Sequence, residues 1–371
     1  MRRNNLALMR LLITGGCGFV GSRLALRFRE QFPGSEVVAF DNLRRRGSER
    51  NIALLQRAGV TFVHGDIRTR SDLFDLGNTP FDLMIEASAE ASVHAGRDGS
   101  PDYVLDTNLS GTLNCLEYAR RFAVGTVVFL STSRVYSIEP MRRVALREES
   151  TRFEIADDQT QTGISPAGFS EDFTTAEVRS LYGATKLASE LIIQEYVAAY
   201  GLKAVINRCG VIAGAGQFGK TDQGVFTLWA ANHFYNRPLR YTGFGGTGKQ
   251  VRDLLHPDDL QALIVRQAEK IETCAGMIYN AGGGRATSVS LREMTALCEE
   301  ATGNTVPMAI DPTTSPVDIP LYLSDYGKAA RAFDWKPQRS AKDIVEDIVA
   351  WLKENRESLR PLFAPETTAS A

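Results

Sequence analysis

Hydrophobic positions in the first two-thirds of the chain fall in short solid runs rather than in alternation. The runs are residues 9–14, EVVAF at 36–40, VTFVH at 60–64, DLMIE at 82–86, TVVFLS at 126–131 and KAVINR at 203–208. A strand with one wet face shows a polar residue at every second position. These runs do not, so they predict strands covered on both faces, as in a parallel sheet. Longer stretches with helical spacing lie between them: SRLALRFREQF (22–32), NLSGTLNCLEYARRF (108–122) and YGATKLASELIIQEYVAAYG (182–201). Strand–helix alternation sustained over this length predicts a doubly wound α/β fold.

Past about residue 210 the rhythm changes. GVIAGAGQFGKTDQG is glycine-rich and irregular, helical patterns recur at 224–235, 257–273 and 290–302, and a proline-rich stretch at 311–320 precedes a final helical pair. The pattern predicts a sheet domain over residues 1–210 and a smaller carboxyl-terminal α/β lobe over 211–360, lying over the sheet's carboxyl edge. MIYNAGG (277–283) is expected to return to the main sheet, and 361–371 to fray. Segment 137–178 is long, polar and poor in regular signals; a loop of that size has a job or is disordered.

Composition narrows the setting. Of 371 residues 43% are hydrophobic, enough for a large core. With 42 basic against 44 acidic residues, the net charge of -2 gives no bulk attraction to nucleic acid or to an anionic membrane. The opening MRRNNLALMRLLITGG is basic and then apolar, but the apolar run breaks at Arg10 and enters a glycine loop, so it reads as a first strand rather than a signal peptide. No stretch has the apolar length needed to cross a bilayer. The five cysteines are scattered, odd in number and without a CxxC pair, which predicts free thiols in a reducing cytoplasm. The four histidines show no metal-ligand spacing, and no metal is expected.

The chemistry begins with TGGCGFVG, Thr14 to Gly21, between the first strand and the first helix. Gly15, Gly18 and Gly21, with Phe19 and Val20 opening the helix, permit a tight turn and close approach of a diphosphate to backbone N–H groups. This predicts a dinucleotide-binding (Rossmann) domain. Asp41, at the end of the second strand and followed by Asn42, stands where an acid meets the adenosine ribose hydroxyls; it favours NAD over NADP. The run Arg44, Arg45, Arg46 keeps a 2′-phosphate in play. Asp66 and Ile67, in GDIR after the third strand, are candidates for the adenine amine and ring, or a simple turn.

RSLYGATKLASE raises a different question, since Tyr182 precedes Lys186 by four residues on a predicted helix. That spacing puts both side chains on one face. An ammonium near a phenol favours the phenolate, lowering its pKa from about 10.

TGGCGFVG, GDIR, LSTSRVY and YGATK together resemble the extended short-chain dehydrogenase/reductase family, which acts on nucleotide sugars; the resemblance covers nearly all of the chain. It implies that Tyr182 takes a proton from a sugar hydroxyl while the carbon gives hydride to NAD, that Lys186 also bonds the nicotinamide ribose, and that Thr132, flanked by Ser131 and Ser133, bridges substrate and tyrosine. Related 4,6-dehydratases carry Asp-Glu where this chain has Ser133 and Arg134, so elimination is disfavoured and an epimerase or net reductase is expected. FDNLRRRG, VHGDIR, TSRVY, TDQG and GKQVRDLLHPDD resemble, in matching order, the branch of that family that converts CDP-paratose to CDP-tyvelose at C2, and this reaction is what the resemblance implies. A UDP- or GDP-sugar 4-epimerase and a 4-keto-sugar reductase are the alternatives, and a dinucleotide sensor without catalysis is the non-enzymatic one.

On the substrate side the resemblance implies Arg252 gripping the diphosphate, with Arg134 and Gln223 also at the substrate. Asn207 and Arg208 end a strand at the cleft edge, either structural or substrate-facing. Relatives pair through helices at 108–122 and 182–200, implying a homodimer or homotetramer. Four features depart from the family. Glu86 and Glu90 stand in the segment where relatives have His-Leu-Ala, Val211 replaces an asparagine, Cys209 sits near the cleft as acid/base group or small hydrophobe, and segment 150–178 is long enough for a lid or for recognising another sugar.

Overall fold

The computed structural model describes residues 8–97, 99–218 and 224–364. Its centre is a seven-stranded sheet: β1 (Arg10–Thr14), β2 (Glu36–Asp41), β3 (Thr61–His64), β4 (Leu83–Glu86), β5 (Thr126–Thr132), β6 (Ala204–Cys209) and β7 (Ile278–Ala281). The strands lie in the order β7-β6-β5-β4-β1-β2-β3, and every pairing is parallel.

The solid hydrophobic runs have a direct cause. Successive side chains point to opposite faces of a strand, and here both faces are covered. Leu11, Ile13, Val37, Ile85, Val128 and Val205 enter one core, while their neighbours Leu12, Val38, Met84, Val127, Phe129 and Ile206 enter another. Helix α1 (Phe19–Gln31) lies on the first face and α2 (Gly111–Arg121) and α3 (Leu181–Tyr200) on the second, with α4 (Pro257–Glu269) beside α1. Ser180 caps α3 by accepting a hydrogen bond from the Gly183 N–H at 3.2 Å, and Gly201 ends it in the left-handed region at φ 68°.

Strand order reverses between β1 and β4, which opens a crevice at their carboxyl ends. A smaller α/β lobe covers that edge. Its strands include Val211–Ile212, Val251–Leu255, Ser288–Ser290 and Leu321–Tyr322, and its own core holds Trp229, Met294, Ile344 and Ile348. The architecture is a doubly wound parallel sheet with a smaller carboxyl-terminal α/β lobe.

Segment 137–178 is more ordered than its composition suggests. It holds a helical turn at Ile138–Arg142, an antiparallel pair (Leu146–Glu148 with Phe153–Ile155) and a small hairpin (Ile164–Ser165 with Gly168–Phe169). Phe169 stacks on Tyr322 with ring centroids 5.2 Å apart. Asn280 of β7 donates its side-chain amide to the Phe169 carbonyl at 2.8 Å and its backbone N–H to Glu171 at 2.6 Å. The segment is therefore a strut between the main sheet and the smaller lobe. Its ordering contacts lie more than a hundred residues away in sequence, which is why local pattern does not reveal them.

Candidate active site

The cofactor end of the crevice is made by close backbone packing. The chain turns at Gly15 with φ 67°, where a Cβ would come within 2.8 Å of the Ala87 carbonyl; a Cβ on Gly21 would come within 2.1 Å of the Gly15 carbonyl. Neither contact leaves room for a side chain. Helix α1 then starts with no side-chain cap on Gly18 and no acid in its first turn. Its free N–H groups and the positive end of its dipole suit a diphosphate. Gly15, Gly18, Phe19, Val20 and Gly21 all line a cavity of about 1310 Å³.

Asp41 and Asn42 line the same cavity. Asp41 accepts the Cys17 N–H at 2.9 Å and the Leu43 N–H at 2.7 Å. Burial raises its carboxyl, and those backbone bonds oppose the rise. Asp66 stands differently from the expected adenine contact. Gly65 and Ile67 line the cavity on either side of it, while its carboxylate takes the Asn42 amide at 2.9 Å and the Arg68 guanidinium at 2.6 Å. Burial would raise the Asp66 carboxyl, but Arg68 and Asn42 outweigh it and hold it at about 2. Arg44, Arg45 and Arg46 also line this end. The Arg44 and Arg68 guanidinium groups lie 4.6 and 4.9 Å from the Tyr103 ring.

At the centre, β5 ends in Thr132 and turns sharply through Ser133–Val135, with the Arg134 N–H donating to Thr132 Oγ1 at 3.2 Å. Helix α3 rests directly on this turn, since a Cβ at Gly183 would lie 2.1 Å from the Arg134 carbonyl. Gly183 thus seats Tyr182 against Thr132. Thr132, Tyr182 and Lys186 all line the cavity. Ser131 donates to Glu190 instead, and Ser133 lines the cavity with Arg134.

Burial pushes the Tyr182 phenol up to about 12; the Thr132 hydroxyl and the Arg134 charge pull the other way, and Cys209 and Glu86 add to the rise. This differs from a phenol lowered by its lysine. The Lys186 ammonium sits 3.6 Å from Glu86 Oε2 and 4.4 Å from the centre of the Phe129 ring.

The substrate end carries Arg134 and Arg252 with Asp318 between them in charge. Arg252 donates to Asp318 Oδ1 and to the Ile319 carbonyl, each at 2.8 Å. Burial lowers Arg252 to about 10, with Asp318 raising and Arg134 lowering it further. Asp318 belongs to the proline-rich stretch, of which Thr313, Ser315 and Val317 also line the cavity; sequence reading assigned no role to it.

Asn207 is fully buried and exchanges amide hydrogen bonds with Gln267 at 2.8 and 2.7 Å, so it faces away from the cavity and is not substrate-facing. Arg208 closes on Glu190 at 2.7 Å. No residue of 150–178 lines the cavity; the segment's contacts are those that brace the main sheet against the smaller lobe. Cys209 does line it, but burial pushes its thiol up to about 12, as suits a small buried hydrophobe. Val211 and Glu90 are lining residues. Gln223 lies outside the described residues, and its neighbour Gly224 is at the cavity wall.

Comparison with known proteins gives a consistent picture. Residues 11–282 match the model of the NAD dependent epimerase/dehydratase family. CDP-paratose 2-epimerase of Salmonella typhi is 32% identical over 355 residues, covering 92% of this chain and 99% of that protein. Among solved structures, a DesIV double mutant (dTDP-glucose 4,6-dehydratase) from Streptomyces venezuelae with NAD bound aligns with a TM-score of 0.75 at 28% identity, over 95% of this chain and all of that one. Thermus thermophilus UDP-glucose 4-epimerase in complex with NAD aligns with a TM-score of 0.72 at 25% identity, over 93% and 99%.

Proposed function

This chain belongs to the NAD dependent epimerase/dehydratase family, and from that premise we propose that it is an NAD-dependent epimerase of a nucleotide-diphosphate sugar, converting CDP-paratose to CDP-tyvelose at C2. NAD-dependent redox chemistry on a nucleotide sugar is the family's common ground. The observation that carries the finer reading is the match in length and sequence to a CDP-paratose 2-epimerase, joined to a cavity with Ser133 and Arg134 beyond Thr132. Elimination of water needs an acid or base at the two places beyond Thr132 where the related dehydratases carry Asp-Glu, and an arginine charged at working pH does not serve there.

The residues fit the cofactor: the uncapped start of α1 takes the diphosphate, Asp41 the adenosine ribose, and Lys186 the nicotinamide ribose. Bound NAD supplies acceptance of hydride from the sugar carbon and its return to the opposite face. The chain supplies the rest. Tyr182 would accept the hydroxyl proton as the keto sugar forms and give it back on re-reduction, once the positive charge of bound NAD offsets the burial that holds its phenol at about 12. Thr132 orients that proton, and Arg252 with Arg134 holds the anionic nucleotide. The site is dry enough for the charges to act strongly, since Tyr182, Thr132 and Lys186 are 8%, 7% and 1% exposed. Exposed Leu191 and Tyr200 on α3 favour pairing of two chains along that helix.

The test is an NMR assay of the purified protein with CDP-paratose, first without and then with added NAD. A new 2-epimer signal, settling within about tenfold of equal amounts because epimers differ by no more than about 1.4 kcal/mol, is expected. Tyr182→Phe should slow its appearance by about 10²–10⁴-fold. Silence from folded protein in both conditions removes the CDP-paratose reading, and unchanged turnover in Tyr182→Phe removes the proton route.

A further inference from the structure

Glu86 is the last residue of β4 and 1% exposed. In register it stands between Thr14 of β1 and Phe129 of β5. Cys115 of α2, Tyr182 and Lys186 of α3 and Cys209 of β6 are titratable groups around Glu86 and Lys186. No donor among the described residues meets either Glu86 carboxylate oxygen in good hydrogen-bonding geometry; the Lys186 ammonium and the Ser88 N–H are the donors close enough to pull its carboxyl back down. The nearest cation is the Lys186 ammonium at 3.6 Å, just beyond hydrogen-bonding distance.

A buried carboxylate without a well-formed hydrogen bond carries a desolvation cost of several kcal/mol per ion, and such a group in a folded protein calls for a reason. Packing is a poor one, because a leucine would fill the space without charge. The reason lies in what Lys186 must do. Its side chain is 2% exposed yet lines the cavity. An ammonium buried this deeply needs a countercharge, and its Nζ has three donors to share. A carboxylate behind it, at 3.6 Å, draws it toward the floor while leaving those donors open on the cavity side.

We infer that Glu86 is a positioning residue: it supplies the fixed countercharge that seats the Lys186 ammonium under the nicotinamide end of the cavity. It acts through Lys186, touching neither sugar nor cofactor. The inference rests on the redox reading of this site.

The experiment is a double-mutant cycle on the full-length protein. NAD affinity is measured by calorimetry for wild type, Glu86→Gln, Lys186→Met and the double variant, with thermal unfolding to establish folding. NAD binding needs no knowledge of the sugar, so it is independent of the CDP-paratose assignment. Glu86→Gln is expected to weaken NAD about tenfold, and Lys186→Met at least as much. The double variant should be no weaker than Lys186→Met alone, within about twofold, because the carboxylate has nothing left to position. A merely structural carboxylate gives losses that multiply instead, and that result overturns the inference, as does wild-type affinity in Glu86→Gln. Glu86→Asp keeps the charge one methylene short and should fall between wild type and Glu86→Gln. If Glu86→Gln does not fold, wild-type affinity in Glu86→Asp overturns the inference. Folded wild type that binds no NAD overturns it together with the reading it rests on, whereas NAD binding with no CDP-paratose turnover leaves the cycle fully informative.

Discussion

Helix α3 carries one member of each of two buried ion pairs, a single turn apart, and the two pairs are built in opposite ways. Glu190 faces Arg208 and accepts from its Nε at 3.1 and 3.2 Å and its Nη2 at 2.7 Å, with Ser131 as a further donor. Arg208 in turn lies 5.0 Å from the Tyr136 ring centre. Lys186 faces Glu86 at 3.6 Å, too far for a well-formed hydrogen bond. Both acids are buried to the same degree. The satisfied pair joins α3, β5, β6 and the 137–178 strut. The unsatisfied pair faces the cavity and keeps its hydrogen-bonding capacity unspent. In one helix, completeness of hydrogen bonding separates a joint from a working part.

The strongest way to break this comparison is to remove the acid from the joint. Glu190→Gln leaves the Arg208 guanidinium buried without its charge partner, and should cost about 3–5 kcal/mol of stability, read as a lowered midpoint in urea unfolding. Glu86→Gln removes no well-formed hydrogen bond and leaves an ammonium that opens on the cavity, so its cost should be less than half as large. Equal losses from the two substitutions would end the distinction.

Acidity sharpens it further. Burial raises the Glu86 carboxyl above its ordinary 4.5, with Lys186 only partly offsetting the rise. A carboxyl raised in the folded state binds its proton more tightly there than in the unfolded chain. Its stabilising contribution is complete below about pH 4.5 and is lost as pH rises through the folded value. The stability of Glu86→Gln relative to wild type should therefore improve as pH rises from about 4 to about 7. A flat difference, followed by chemical unfolding at each pH, would mean that the carboxylate is better solvated than its burial implies.

The legibility of these features follows how local their causes are. The sheet was readable because β1, β2, β4, β5 and β6 are buried on both faces, which forces unbroken apolar runs. The glycine loop was readable because Gly15 and Gly21 pack against backbone within or beside the loop itself. Tyr182 and Lys186 were readable because the helix alone aligns them. The Glu86–Lys186 pair was not: its members lie a hundred residues apart, and only the register of β4 beside β5 under α3 brings them together. Asn207 misled for a related reason. Its place near the end of β6 suited a cleft residue, but Gln267 of α4, on the covered face, takes both ends of its amide. The 137–178 strut was hidden because Phe169 and Asn280 order it from distant parts of the chain.

A third acid sets the lower end of the scale. Asp66 has the hydrogen bonds that Glu86 lacks, from Arg68 and Asn42, but it is less deeply buried: its side chain is 17% exposed and that of Arg68 35%. Its carboxyl is lowered from 3.8 to about 2. A lowered carboxyl contributes stability above its unfolded value and loses it as pH falls through the folded one, here from about 4 down to about 2. Taken at face value the shift is worth about 2 kcal/mol; water around a partly exposed pair screens this to about 1 kcal/mol or less. Asp66→Asn should thus lie within about 1 kcal/mol of wild type near neutral pH, with the gap closing as the solution is taken to about pH 2. If the loss instead approached that of Glu190→Gln, burial would not be what gives the hydrogen-bonded pairs of this molecule their strength.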